Sequence, residues 1–182
     1  MNRGAINWCT TSEQRSECDA CSHFLGGPVT PILENALIRL RPAQADDYDF
    51  ALGLYVETIK PYTIAYMAWD ESVEAARFAR LWMPGNTRII TRNGVAIGWL
   101  AAIERASDIF LQQLYIAPAY QRRGIGTQVM ELLLVQWNTT GKPIVLGVLK
   151  NNPARRLYER LGFTVVGETE TKFMMRREPP VK

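Results

Sequence analysis

Two stretches of this 182-residue chain hold residues whose types and spacing could do chemistry. The first is Leu114-Tyr115-Ile116-Ala117-Pro118-Ala119-Tyr120-Gln121-Arg122-Arg123-Gly124-Ile125-Gly126-Thr127. A β-rich run stops at a proline, and a basic, glycine-containing turn then leads into an amphipathic helix. Glycines at such a turn let backbone N–H groups face a ligand with no side chain between them. The helix N-terminus adds partial positive charge, and Arg122 and Arg123 add full charges, so the turn suits a phosphate. It is neither a Walker loop, which needs Gly-Lys-Ser/Thr, nor the Gly-x-Gly-x-x-Gly dinucleotide fingerprint. The second stretch is Asn151-Asn152-Pro153-Ala154-Arg155-Arg156-Leu157-Tyr158-Glu159-Arg160-Leu161-Gly162-Phe163. Helix structure alone accounts for Pro153, Leu157 and Gly162. Tyr158 lies one turn beyond Ala154, so a groove along that face would meet a phenol. By spacing alone it fits an amphipathic core position as well as an acid.

Those residues must be positioned by the elements around them. Leu37–Arg41 alternates like a strand that Pro42 ends. Asp46 or Asp47 can cap a helix through Phe50, Leu54 and Ile59 that Pro61 closes. Asp70 or Ser72 opens a second helix with Val73, Ala76, Phe78 and Leu81 as its apolar positions, ending at Pro84-Gly85-Asn86. Thr87–Arg92 and Val95–Glu104 form a hairpin through Asn93-Gly94, a pair that tolerates positive φ. Ile109–Ile116 is a third strand of this region. Gly124–Trp137 has helical spacing at Ile125, Val129, Leu132, Leu133 and Trp137. Ile144–Leu149 reads as a buried strand. Asn152 caps a short helix whose inward residues are Leu157 and Leu161. Phe163–Val166 and Lys172–Arg176 read as closing strands. The predicted order is β-α-α-β-β-β-α-β-α-β-β.

Composition sets outer limits. At 47% hydrophobic and 21% charged, the chain has a soluble globular balance. No apolar run approaches the ~18 residues that span a bilayer, and no secretory signal is evident, so a cytoplasmic protein without membrane contact is expected. Residues 1–35 read as an N-terminal extension and 36–182 as one domain. The three cysteines, Cys9, Cys18 and Cys21, all fall in the extension. With His23 they number four zinc-type ligands, but there is no second paired knuckle, and the expectation is a loose tail with no metal. Residues 42–76 carry seven carboxylates against Lys60 alone, net −6, whereas residues 77–182 carry 16 Lys/Arg and 7 Asp/Glu, net +9. That split suits two ligands of opposite sign, or equally two solvated faces. Arg155-Arg156 and Arg176-Arg177 are short clusters without interleaved aromatics, so nucleic acid is not an expected partner.

Taken together, Gln121-x-x-Gly124-x-Gly126 and Asn151-x-x-Ala154-x-x-Leu157-Tyr158-x-x-x-Gly162-Phe163 resemble the pyrophosphate-binding and later motifs of the GNAT superfamily of acyl-CoA-dependent N-acyltransferases. The resemblance extends over about Leu37 to Arg176. It implies an α/β (α+β) fold with a mixed, mostly antiparallel central sheet of six or seven strands flanked by helices. It implies an acetyl-CoA donor whose pantetheine arm pairs with the backbone of Leu114, Tyr115 and Ile116. The pyrophosphate would sit on the amides of Arg122, Arg123, Gly124, Ile125, Gly126 and Thr127, next to Gln121, and Asn151 would contact the cofactor arm. Tyr158 matches the tyrosine that protonates the departing thiolate. The sequence departs from the family at the general base. Where many members carry a Glu, it has Phe110-Leu111-Gln112-Gln113 and Val145-Leu146-Gly147. Glu104, Asp70 and Glu71 are the candidates left for that role. An alkylammonium with a pKa near ~10 must still lose a proton before it attacks.

The resemblance places the acidic segment at the acceptor site. A wall of Tyr66, Trp69, Asp70 and Glu71 would suit a small cationic amine, with an amino sugar or aminoglycoside-type antibiotic a candidate class, acetylated by direct attack in a ternary complex. Two other readings stand beside it: a protein or peptide N-acetyltransferase, and a non-catalytic acyl-CoA-binding module. A homodimer is possible, since the C-terminal strands offer an edge for pairing.

Overall fold

A computed structural model describes residues 37–180. The expected extension, residues 1–35 with its cysteines and His23, lies outside the described residues. The elements follow the predicted order: β1 (Ile38–Pro42), α1 (Tyr48–Thr63), α2 (Glu71–Leu81), β2 (Thr87–Arg92), β3 (Val95–Glu104), β4 (Ile109–Ile116), α3 (Ile125–Trp137), β5 (Ile144–Leu149), α4 (Arg155–Arg160), β6 (Thr164–Glu168) and β7 (Lys172–Arg177). The strands form one 7-stranded sheet ordered β1-β2-β3-β4-β5-β7-β6. All neighbours are antiparallel except β4 and β5. This is the GNAT-like mixed sheet that the motifs imply. Among the described residues, no helix is long and apolar enough to cross a membrane.

Each face of the sheet buries its own cluster. On one face Val129, Met130 and Leu133 of α3 and Tyr158 of α4 pack on Ile90, Leu100, Ile109 and Leu146. On the other, Ala51, Leu54 and Tyr55 of α1 and Phe78 of α2 pack on Ile89, Trp99 and Ala101. That second cluster is held by edge-on and tilted aromatic contacts around Phe78, whose ring centroid is 5.8 Å from Trp99 and 5.5 Å from Tyr55. The Trp99 indole N–H donates to the Ala51 carbonyl at 3.1 Å, so α1 is pinned to β3 by a buried polar contact as well as by packing.

Local detail differs from the sequence reading at four points. Pro61 does not close α1. A proline removes only its own N–H bond, and the helix continues to Thr63 because Ile64 N–H still reaches the Lys60 carbonyl at 3.2 Å. Val73 and Leu132 fit an apolar stripe but face outward, at 54% and 48% exposure. On α4 it is Tyr158 that is buried, while Leu157 and Leu161 are only partly covered. Asp47 does not cap α1 with its side chain. It turns back to accept both Arg41 guanidinium N–H groups, at 2.6 and 2.7 Å, and the Gln44 N–H at 2.8 Å.

Hydrogen bonding to Arg41 holds the Asp47 carboxyl below the usual range. A depressed carboxylate stabilises the fold above its unfolded pKa of about 3.9, and that support is lost as pH falls through the lower folded value. Asp47→Asn is expected to cost about 1–2 kcal/mol at neutral pH, because Arg41 is half-exposed and partly screened. Urea unfolding at about pH 7 and again near pH 3 measures this, and the gap between the two proteins should narrow at the lower pH.

Candidate active site

The site begins as a defect in the sheet. In the β3–β4 ladder Ala101 faces Gln113 and Ala102 faces Leu111, which leaves Gln112 as an extra residue. The bulge puts Leu111 and Leu114 on the same face. Parallel pairing of β4 with β5 covers only Ile109–Leu111 and Ile144–Leu146. Beyond that point the strands part, and a cleft of about 510 Å³ opens between them. It is bordered by β4 from Leu111 to Tyr115, β5 from Leu146 to Leu149, the C-terminal half of α1, α2, and the start of α4. Gly98 seats β3 against this part of β4, since a Cβ there would run into the Tyr115 carbonyl.

The basic turn follows directly from the end of β4. Gln121 donates its amide N–H to the Ile116 carbonyl at 2.8 Å and so draws the turn back onto the strand. Arg122 and Gly124 both take left-handed φ, 58° and 77°. The tight curl delivers the chain into α3 with Gly124 as an N-cap that has no side-chain oxygen to offer. The first N–H groups of α3 are therefore left for a ligand. The two glycines serve different ends. Gly124 supplies the φ, whereas Gly126 supplies clearance, because a Cβ there would press on the Leu157 side chain at 3.2 Å and Ile116 at 3.6 Å. The turn, the end of β4 and α4 are thus packed together at one end of the cleft. A long anionic donor fits this arrangement: a helix N-terminus with uncapped amides and two arginines, continuing into an open strand edge.

Tyr158 lines the cleft from α4. Its ring packs edge-on against Phe163 at 5.7 Å, and its hydroxyl has no hydrogen-bond partner among the described residues. Burial pushes its phenol up to about 12. Tyr115, partly covered, also lines the cleft. Its hydroxyl donates to the Gln113 side chain, and desolvation raises its pKa.

The remaining expected residues divide. Tyr66 lines the cleft. Trp69, Asp70 and Glu71 do not. The Asp70 carboxylate caps α2, accepting from the Ser72 and Val73 N–H groups and the Ser72 hydroxyl. Glu71 sits 3.5 Å from Lys60, which also lies over the Trp69 ring. Glu104 is not brought to the cleft either. It closes β3 at the far end of the ladder, opposite Ile109, and pairs with Lys142 at 2.8 Å. Asn151 donates to the Tyr62 carbonyl at 3.0 Å, so its side chain ties the loop after β5 to the end of α1. Its neighbour Asn152 lines the cleft and accepts the Ala154 N–H. The acidic wall is thus replaced by an aromatic and apolar one. Among the described residues, the charged groups lining the cleft are Arg77 and Lys172.

One cluster has no counterpart in the sequence reading. Tyr55 lines the cleft from α1 and donates its hydroxyl to Glu74 of α2 at 2.5 Å. Glu74 is only 3% exposed, and its other oxygen accepts from Arg77 at 3.0 Å. Burial, then the Glu74 hydrogen bond and charge, push the Tyr55 phenol up to about 12. A signal was available: Tyr55 and Glu74 each sit one helical turn from a core residue, Ala51 and Phe78.

The sheet parts beside a glycine turn, and a tyrosine from α4 lines the gap. The model of a family described as an acetyltransferase (GNAT) domain matches residues 81–165. Among solved structures, the PaiA N-acetyltransferase of Thermoplasma acidophilum, in complex with coenzyme A, has a TM-score of 0.65 at 16% identity over 78% of this chain and 99% of that one. An acetyltransferase of Thermus thermophilus gives 0.63 at 20% identity over 79% and 98%. The ribosomal-protein-S18-alanine N-acetyltransferase of Escherichia coli gives 0.59 at 19% identity over 80% and 96%. Among curated proteins none matches the sequence. A GNAT acetyltransferase domain model thus matches the middle of the chain, and the solved acetyltransferases share its fold.

Proposed function

We propose that the cleft transfers an acetyl group from acetyl-CoA to the primary amine of a small molecule, with donor and acceptor bound together. The observation that carries this reading is the open Tyr158 hydroxyl in the gap between β4 and β5, with the uncapped start of α3 beside it. Acetyl-CoA supplies the activated acyl group. The amides of Gly124 through Thr127, with Arg122 and Arg123, hold its pyrophosphate, and the exposed edge of β4 from Leu114 to Ile116 orients its arm. The net change is a C–S bond broken and a C–N bond formed, with one proton leaving nitrogen and one reaching sulfur. Tyr158 serves the sulfur end. Holding nitrogen against the thioester supplies most of the acceleration.

The bond from Asn151 to Tyr62 favours a small acceptor. It ties the loop after β5 to the end of α1, two segments that an extended peptide lying across the cleft would have to pass. The acceptor carries an apolar or aromatic body, matched to Ile59, Tyr66 and Met67. Amino sugars stay within the class, but the lining gives them no carboxylate to meet a second or third ammonium. The test is release of thiol from acetyl-CoA with benzylamine, spermidine, kanamycin and a tripeptide starting with Ala, alongside calorimetric binding of acetyl-CoA. Turnover on benzylamine above the others is expected. Turnover confined to the tripeptide would replace the small-molecule acceptor with a protein N-terminus. Tight acetyl-CoA binding with no turnover on any of the four would leave only a binding module.

A further inference from the structure

An acceptor amine arrives mostly as an ammonium, since its pKa near ~10 lies well above neutral pH. Its proton must go to something at the cleft. No carboxylate lines the cleft among the described residues, and the carboxylates first suspected are held elsewhere, by Lys142, by Lys60 and by the cap of α2. We propose that Tyr55 and Glu74 together accept that proton, Tyr55 as the group that touches the amine and Glu74 as the positioning residue behind it. This rests on the acyl-transfer reading above.

The geometry supports a relay in one direction. The Tyr55 O–H is already committed to Glu74 at 2.5 Å, so its oxygen lone pair is what the cleft sees. An ammonium N–H donates to that oxygen. As the proton passes to Tyr55 Oη, the phenolic proton moves to Glu74 Oε2, and the nitrogen lone pair is freed to form the C–N bond. The second nitrogen proton, shed as the C–N bond forms and the C–S bond breaks, passes through solvent to the departing sulfur, and the proton held on Glu74 returns through Tyr55 to water when the product leaves. Phenolate is never formed as a free species.

The pair is hard to explain as packing. It interrupts an aromatic cluster of Phe78, Trp99 and Tyr48 in which Phe and Leu would fill the same space. A buried carboxylate there carries a desolvation cost that well-packed apolar residues avoid. The groups facing it are Tyr55 from α1, Arg77 from its own helix, and Tyr115 from β4, whose ring stands edge-on to Tyr55 at 5.8 Å.

The test follows acetyl transfer from acetyl-CoA to the fastest amine of the panel, from about pH 6.5 to 9.5, in wild type, Tyr55→Phe and Glu74→Gln. Both variants should lose about 30- to 100-fold in rate near neutral pH. The deficit should shrink toward pH 9.5, because more of the amine is then neutral before it binds. Acetyl-CoA affinity should be unchanged. A deficit constant with pH, or no deficit in Tyr55→Phe, overturns the relay while leaving the transferase intact. If Glu74→Gln fails to fold, Tyr55→Phe carries the test, since it retains the ring. An inert wild type that still binds acetyl-CoA overturns the transferase reading, and the relay with it.

Discussion

Tyr158→Phe is expected to lower the rate of acetyl transfer about 100-fold and to leave acetyl-CoA affinity almost unchanged. The reason lies in when the hydroxyl acts. The hydroxyl has no protein partner among the described residues, and the substitution leaves the edge-on contact with Phe163 intact. What is lost is a hydrogen bond to a sulfur that becomes negative only as the C–S bond breaks. An interaction confined to the transition state lowers kcat and kcat/KM together. Burial sets the limit on the effect. With its phenol at about 12, complete transfer of the proton to a thiolate of pKa about 8.5 is uphill by roughly 5 kcal/mol. Tyr158 therefore stabilises the sulfur by donating a hydrogen bond, and the proton that CoA finally takes up is completed by solvent. The same burial makes the phenol neutral from about pH 6 to 10, so the deficit of the variant should be flat across that range. Comparing the pH profiles of kcat for the two proteins checks this. A deficit that appears only at alkaline pH, or a matching loss of acetyl-CoA affinity, would remove Tyr158 from the chemistry.

The second large effect concerns the donor end. Gly124→Val should weaken acetyl-CoA binding about 100-fold, read as the Kd from calorimetry. The residue holds φ at 77°, where a β-branched side chain is strained although nothing lies within 4 Å to crowd it. Relieving that strain rotates the first amides of α3 away from the ligand. Losing two charge-assisted bonds of about 1.5 kcal/mol each accounts for the size of the effect. Gly94→Val is the matched control. Gly94 is also left-handed, at φ 83°, but it sits in the β2–β3 hairpin. It should lower stability to a similar extent and leave the Kd where it was. Equal loss of binding in both variants would mean that the turn acts only through stability.

The contrast between those two glycines shows how much of the protein is legible in its sequence. The Asn93-Gly94 hairpin, the start of α3 at a glycine turn and the order of all eleven elements follow from local rules. Turn chemistry depends on φ at one or two residues, and periodicity on neighbours three or four apart. The glycine turn ahead of α3 was legible for the same reason, because its uncapped amides belong to consecutive residues. The roles inside that segment were less so. Gly126 is required by Leu157, which lies 31 positions away in the chain, and not by the turn itself.

The acceptor end depended on the tertiary structure throughout. Asp70, Glu71 and Glu74 are three carboxylates within five residues, and charge counting treats them alike. Packing of α2 on α1 and β3 separates them. Asp70 is spent on the helix cap, Glu71 meets Lys60 in solvent, and Glu74 is buried under Tyr55. Glu104 ends β3 as expected, yet the ladder carries it to the opposite end of the sheet from the gap in which Tyr158 lies. By itself the sequence determined the fold class, the glycine turn ahead of α3 and the phenol on α4, all written in local pattern. The rotation of one helix and the bulge at Gln112 decided which residues line the cleft, because burial and strand separation are set by distant contacts that no local spacing encodes.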